Sequence, residues 1–567
     1  MMNMRFQFRI VATAALLIGA NVSLIAQEET GTGDEVKSVE IRVVEEYQAQ
    51  VRSAQKISEQ PSFSDTTSEK LPVSVRINPK AMSLDFAPEA IPAIRLGRVK
   101  LPKLPTQSVS VGGGNYASSY ASFILSSPRS KKNVWGVRAL HQGALSGVSD
   151  VDYLRQPQYE NEVLADFQRA TKSYNFKTQA LLKADYISYY GALTPLTVVP
   201  DSTPGAWQQQ YGLSQQWLRT TNPTSKVKFA YRSGGVSYKY TAAGMATSEH
   251  LAKTQHRFEI YADEQDISLD LGYQFASVNS WADSSAAAYH NFTIAPYTSG
   301  KKGILSYEFG LNFTGTQTSG LGIDRFEYYV YPKVNLQAEL LKRTLAVYGG
   351  WDGTAKQNTL EGMIAQVPFL SMDQEYRLSG SNKGYVGMQG ALAGKLQYRV
   401  EGSLTTMNDA LMFQRDSLLM LNEVNGQQIA ALQAVYAENV VKTGVRGELN
   451  LPLKHFVAST YAELNNYSGD AFLGQEGRVL GAMVDYSINE LSIGANLRYV
   501  GGRYNSVDYT LYPLEDYMDL SARVDYKINE NLSVSLRGYN LLNQRYMMWQ
   551  GYGVRGTRGM FVLNYQF

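Results

Sequence analysis

Residues 517–527 read YMDLSARVDYK, 532–539 read LSVSLRGY and 560–567 read MFVLNYQF, and these three runs end the chain. In the first, Met518, Leu520, Ala522, Val524 and Tyr526 alternate with Asp519, Ser521, Arg523, Asp525 and Lys527. In the second, Leu532, Val534 and Leu536 alternate with Ser533, Ser535, Arg537 and Tyr539. In the third, Phe561, Leu563, Tyr565 and Phe567 share one face. Successive strand side chains point to opposite faces, so these runs predict a sheet with one oily and one wet surface.

That pattern fits a soluble sandwich, whose oily face meets a second sheet, and equally a membrane barrel, whose oily face meets lipid. The rest of the chain separates the two. It has 567 residues, 39 tyrosines, 48 glycines, no cysteine and a formal net charge of +2. A mean hydropathy of −0.27 looks soluble, but a barrel escapes hydropathy because half of each strand faces water. Beyond the amino terminus no run approaches the roughly 18 apolar residues of a spanning helix. Near-neutral charge gives no support for nucleic-acid binding. The lack of cysteine excludes disulfides, thiolate catalysis and a lipidated cysteine anchor.

Residues 1–26 form a secretory signal: Arg5 and Arg9, an apolar stretch from Ile10 to Ala20, and a cut at Ala26-Gln27. Residues 27–105 change character. An acidic, Gly-rich tail precedes KSVEIRVVEEY (Lys37–Tyr47), where Val39, Ile41 and Val43 make one isolated strand. Prolines from Pro72 to Pro105 then bar helix and central-strand pairing, so this part is a short periplasmic extension.

From 106 to 567 the rhythm repeats. Short turns fall at Arg129–Asn133, Ser173–Asn175, Ser233–Gly235, Asp263–Asp266, Ser299–Lys302, Leu341–Arg343, Gly394-Lys395, Leu451–Lys454, Asn489-Glu490 and Asn529–Asn531. Long connections fall at Ser146–Pro157, Thr194–Thr224, Thr359–Gly380, Asp409–Gln427 and Arg503–Leu514. A short side and a long side mark an outer-membrane barrel. The fold expected is therefore all-β, a transmembrane antiparallel β-barrel of about 22 strands. The count falls to about twenty if Lys226–Thr241 is one bulged strand rather than two. Tyrosines near strand ends suit an interfacial girdle.

The stretch SVSVGGGNYASSYASFILSS (Ser108–Ser127) resembles the first barrel hairpin of TonB-dependent outer-membrane receptors. YNLLNQRYMMWQGYGVRGTRGMFVLNYQF (Tyr539–Phe567) resembles their closing hairpin. The resemblance implies an outer-membrane location in a Gram-negative cell, transport across the lipid bilayer, and assembly by the barrel-assembly machinery. That machinery would read Phe561, Leu563, Tyr565 and Phe567. It also implies a globular plug, for which 27–105 is too short and Pro-rich. This chain thus resembles a plug-less receptor, with Val39, Ile41 and Val43 as a TonB-box-like strand able to add to a partner's sheet edge.

The residues offer no catalytic constellation. His141, His250, His256, His290 and His455 form no HExxH motif, and there is no nucleophile elbow and no P-loop. His141 lies in a strand near Ser146, and a structural role for it outweighs a catalytic one. No catalytic, metal or cofactor site is expected. Asp485, Arg498, Asp519, Arg523, Asp525 and Arg537 fall on the wet face and read as lumen residues of mixed sign, an ion-paired wall rather than a selective filter. Trp207, Tyr211 and Trp217 are read in one long loop, Phe369 and Tyr376 in another. A lumen this wide needs filling, by loops, by the 27–105 segment or by a partner. Two functions remain: a transport or channel-type barrel, or a non-transporting scaffold subunit of an outer-membrane assembly or secretion complex.

Overall fold

The computed structural model describes residues 106–567 except 129, 149–153, 192–202, 221–228, 244–246, 263–264, 281–284, 321–322, 371–373, 416–421, 425–426, 430, 469–472, 508–509 and 550. The signal segment (1–26), the extension (27–105) and its Val39, Ile41 and Val43 lie outside the described residues.

Among the described residues, 22 strands form one sheet in which every neighbour is antiparallel. The first strand, Gln107–Gly114, pairs with the last, Arg558–Gln566, and closes the sheet into a barrel with the register Ser108↔Gln566 to Gly114↔Met560. Closure satisfies the backbone groups that an open edge would leave bare in lipid. Phe561 is 50% and Phe567 60% exposed on the outer face, with Leu563 and Tyr565 between them. The same exposed apolar band continues through Ile493, Val484, Val445, Val386 and Phe309 on other strands. In a bilayer that band is the lipid contact.

Strands run from 8 residues at Gln107–Gly114 to 19 at Ile323–Leu341. About 9–11 tilted residues cross a bilayer. The long strands therefore project well beyond it. One end of the barrel carries mostly tight connections, such as 171–173, 303–304, 393–395 and 489–490, together with the terminal Phe567. At the other end are the long loops 145–157, 189–204, 358–377, 409–439, 502–516 and 540–557. Short reversals also occur there, as at 115–117.

Two features differ from the sequence reading, and they offset each other. Thr194–Thr224 is not one loop, because Gly205–Arg219 is a full barrel strand paired with Tyr174–Ser188. Trp207, Tyr211 and Trp217 thus stand on its outer face, not in a loop. Glutamines at 209 and 215 share that outer face and blur the oily rhythm. Conversely, Ser233–Gly235 is no turn but lies inside the strand Phe229–Ala243, which carries a bulge between Tyr231 and Ser233. Gly234 is there to make room: a β-carbon would run into the Tyr231 hydroxyl and come within 2.7 Å of the Trp217 ring. One strand was missed and one split, so the count of 22 stands.

Loop residues build structure of their own. Ala410–Arg415, Leu432–Ala437, Arg503–Val507 and Thr510–Leu514 form a four-stranded sheet at the loop end. Loop 358–377 contains a short helix, Leu360–Gln366, whose N-cap Thr359 accepts a hydrogen bond from the Gly362 N–H.

Candidate functional site

Five loops meet inside the barrel mouth. Val148, Tyr189, Tyr190, Leu360, Met363, Ile364, Val367, Phe369, Phe413, Leu432 and Tyr552 pack in one buried cluster with the inner-face residues Leu251, Ala276, Val278 and Tyr289. At its centre the Phe369 and Tyr552 rings stack at 3.6 Å, and Tyr190 meets both edge-on. Several aromatic side chains taken from water together give these loops a core of their own. Burial pushes the Tyr189 and Tyr190 phenols up to about 12, so both stay neutral at any physiological pH.

Polar contacts fix the helix to the wall. The fully buried Glu249 carboxylate accepts from the Leu360 N–H at 3.1 Å and the Glu361 N–H at 3.3 Å. A carboxylate at a helix N-terminus satisfies orphan donors and favours the helix dipole. Lys239 reaches Glu361 at 2.6 Å. Arg555, also buried, clamps loop 540–557 onto loop 145–157: its Nε donates to the Ser146 carbonyl, its Nη1 to the Gln158 side chain and its Nη2 to the Gln156 and Ala144 carbonyls. Burial pushes its guanidinium down to about 10.

Below this layer the inner wall is charged and cross-linked. Glu401 accepts from Lys383 at 2.6 Å, from Arg399 at 2.9 Å and from the Tyr348 hydroxyl at 3.0 Å. Glu308 takes Lys333 at 3.0 Å and Asn335 at 3.0 Å, and Tyr385 donates to Asn335. Of these, Glu308, Asn335, Tyr348, Tyr385 and Arg399 border a cavity of about 840 Å³ towards the turn end.

The six charged residues singled out from sequence fall in three groups. Arg523 binds Asp485 at 2.8 Å and lies 3.8 Å from Asp525. Arg498 faces Asp519 in register but turns instead to Glu476, which it holds through two bonds of 2.7 and 2.8 Å. Asp519 accepts from the Tyr546 hydroxyl at 3.3 Å. Arg537 lies 4.8 Å above the Tyr120 ring. Glu476, Glu249 and Arg555 escaped the sequence reading because each acts on residues distant in the chain. No local signal marks such partners.

His141 does not approach Ser146 through its ring. Its Nε2 accepts from the Ser119 hydroxyl at 2.9 Å, and its Nδ1 donates to Asn161 Oδ1 at 2.8 Å. His250, His256 and His290 likewise bond the Tyr238, Tyr231 and Tyr273 hydroxyls, each at 2.8 Å. All four lie on the outer face, where a hydroxyl partner satisfies a ring nitrogen beside lipid. Among the described residues no group of acidic, histidine or cysteine side chains is arranged to hold a metal.

No protein-family model matches the chain. No curated protein matches it by sequence. Solved structures do match. The FrpB iron transporter from Neisseria meningitidis (F3-3 variant) superposes with a TM-score of 0.62 at 12% identity, covering 82% of each chain. The siderophore receptor PirA from Acinetobacter baumannii gives 0.59 at 12%, covering 83% of this chain and 81% of that one. Pseudomonas aeruginosa FpvA, solved with heterologous pyoverdines, gives 0.59 at 12%, covering 81% and 71%. At such identity the likeness speaks for the fold. The barrel of this chain thus shares the fold of these transporters and receptors, as a closed antiparallel sheet that has 22 strands here.

Proposed function

We propose that this chain is an outer-membrane transport barrel whose mouth is stoppered by its own loops. The loop core around Phe369 and Tyr552 carries the reading. A ring of 22 strands encloses a lumen too wide to leave open, and a buried aromatic core across five loops is a costly thing to build for a mere rim. FrpB is an iron transporter and PirA a siderophore receptor, which supports transport rather than catalysis. In this reading 27–105 completes the seal without a globular plug. Asp485, Arg498, Asp519, Arg523, Asp525 and Arg537 serve as a paired lumen wall, and Val39, Ile41 and Val43 offer a strand to an energising partner such as TonB. Residues 1–26 direct export and are then cleaved, and Phe561, Leu563, Tyr565 and Phe567 present the barrel to its assembly machinery.

The test is single-channel recording in planar bilayers. The full chain should pass almost no current. Removing 360–376 should open the mouth, and removing 27–105 as well should raise the current further. Silent bilayers from both folded deletions, with other outer-membrane subunits co-purifying in fixed ratio, would replace transport by scaffolding.

A further inference from the structure

The loop layer holds several buried arginines, and one of them differs from the rest. Arg555 donates to four protein oxygens, as described above. Arg503, 4% exposed, donates to the Met547, Met548 and Glu515 carbonyls. Arg498 has Glu476. Arg415 is also 4% exposed, yet its Nε and Nη2 have no hydrogen-bond partner, and among the described residues no carboxylate reaches it. Nε and Nη2 together present the planar fork that grips two oxygens at once. A buried cation without a counter-charge is among the least tolerated features of a folded protein.

A second unsatisfied group stands on the same face. Arg415 pairs with Val507 across a parallel bridge, and Asn505 is two residues back from Val507 on that strand. Asn505 is completely buried, and neither its Nδ2 nor its Oδ1 has a partner. The two side chains therefore bring four unused polar atoms to one patch of the loop sheet. The patch is bounded by the hairpin 547–553. Phe413 meets Trp549 edge-on at 5.9 Å, and Gly551, at φ +82°, lies so close that a β-carbon there would stand 3.0 Å from Arg415 Nη1. Gly551 thus lets the chain pass close against the guanidinium.

We propose that Arg415 and Asn505 form a binding site for a small organic monocarboxylate carrying a flat apolar body. The carboxylate takes the Nε/Nη2 fork, the Asn505 amide bonds a neighbouring polar atom, and the body rests towards Phe413 and Trp549. One free guanidinium supplies one positive charge, which matches a carboxylate better than a dianionic phosphate. Arg503, the next cation on the strand, already gives its Nη donors to carbonyls. Burial lowers the Arg415 pKa from its ordinary value without discharging the group, so the site holds its charge for an anion. Binding here belongs to the loop layer and does not require the barrel to conduct.

The test uses the full chain in detergent, titrated calorimetrically with benzoate, benzamide and phenyl phosphate. Benzoate should bind, benzamide should not, and phenyl phosphate should bind more weakly than benzoate. Arg415→Met should lower benzoate affinity at least about tenfold, as loss of a bidentate charged pair requires, and Asn505→Ala should lower it by less. Without ligand, Arg415→Met should raise the unfolding midpoint, since an uncompensated charge has gone. A structural arginine would lower it. No heat with benzoate up to about 10 mM, or equal affinity in wild type and Arg415→Met, would overturn the site. Tighter binding of phenyl phosphate would overturn its assignment to carboxylates. Should Arg415→Met fail to fold, the structural role wins, and unchanged binding in Asn505→Ala would confirm that defeat.

Discussion

Phe369 and Tyr552 stack with ring centroids 3.6 Å apart and planes 13° from parallel, although 182 residues separate them in the chain. One belongs to loop 358–377 and the other to loop 540–557, so this contact joins the middle of the barrel to its closing hairpin. Phe369→Ala should destabilise the loop layer by about 3–5 kcal/mol, the usual cost of emptying a buried aromatic site. Tyr552→Ala should cost a similar amount, and the double variant clearly less than the sum, because both empty the same core. Protease cleavage in loop 358–377 on intact cells, scored against an unchanged heat-modifiable barrel band, reads the effect. Additive losses would show that the two rings act separately.

Glu249 holds the start of helix Leu360–Gln366 through two backbone N–H groups. Glu249→Leu removes both acceptors and leaves two donors buried, a loss of about 1–3 kcal/mol. Glu249→Gln keeps one acceptor and should lose less. Hydrogen exchange at Leu360 and Glu361 should rise in the order wild type, Gln, Leu. Equal exchange in all three would mean that packing alone seats the helix.

Asp516 supplies a pH test. Its carboxylate accepts from the Tyr499 hydroxyl at 2.6 Å and from the Gly502 N–H at 3.0 Å, and Arg478 stands 2.9 Å away. The Tyr499 bond first, then Gly502 and Arg478, hold its pKa below the ordinary 3.8. A depressed folded pKa means that the contribution is complete above the unfolded value and fades as pH drops through the folded one. Hairpin 503–514 should therefore resist pepsin near pH 4 and open only as the pH falls further, below the carboxyl's ordinary 3.8. In Asp516→Asn its cleavage should lose most of that pH dependence. An Asp516→Asn profile superposable on wild type would remove the carboxylate from the account.

The chain Ser119, His141, Asn161 is continuous on the outer wall, since Asn161 Nδ2 donates onward to the Ala184 carbonyl at 2.9 Å. His141→Ala leaves Ser119 and Asn161 each short of a partner and should cost about 1–3 kcal/mol. Ser119→Ala should cost less, and the pair should be non-additive in urea unfolding from lipid vesicles. Independent losses would mean that the groups are solvated separately by headgroups.

The barrel was legible in the sequence because lipid enforces a period of two wherever a strand crosses it. Strands such as Leu491–Gly501 and Tyr517–Lys527 obey that period and were placed to within a residue or two. Gly205–Arg219 was not, since outward glutamines interrupt the oily series, and the Ser-Gly-Gly at 233–235 imitated a turn while serving ring packing beside Trp217. The mouth was less legible still. Phe369 and Tyr376 stood out as loop aromatics, but nothing local pairs Phe369 with Tyr552 or Arg498 with Glu476. The four-stranded loop sheet joins segments about ninety residues apart, and pairings of that range leave no periodic trace. Arg415 and Asn505 carry no signal at all, because what marks them is an unmet hydrogen bond.

The seam between Gln107–Gly114 and Arg558–Gln566 has a bearing on how the molecule is made. A ribosome releases the two halves of that joint at opposite ends of its work, so no cylinder exists while the polypeptide is still emerging. Any version stopped short of its final segment is left with two raw margins ready to zip onto a stranger. Escort through the intervening compartment is thus a demand of the topology itself, and a stop codon a few residues early should be more damaging than a much larger excision from a surface loop.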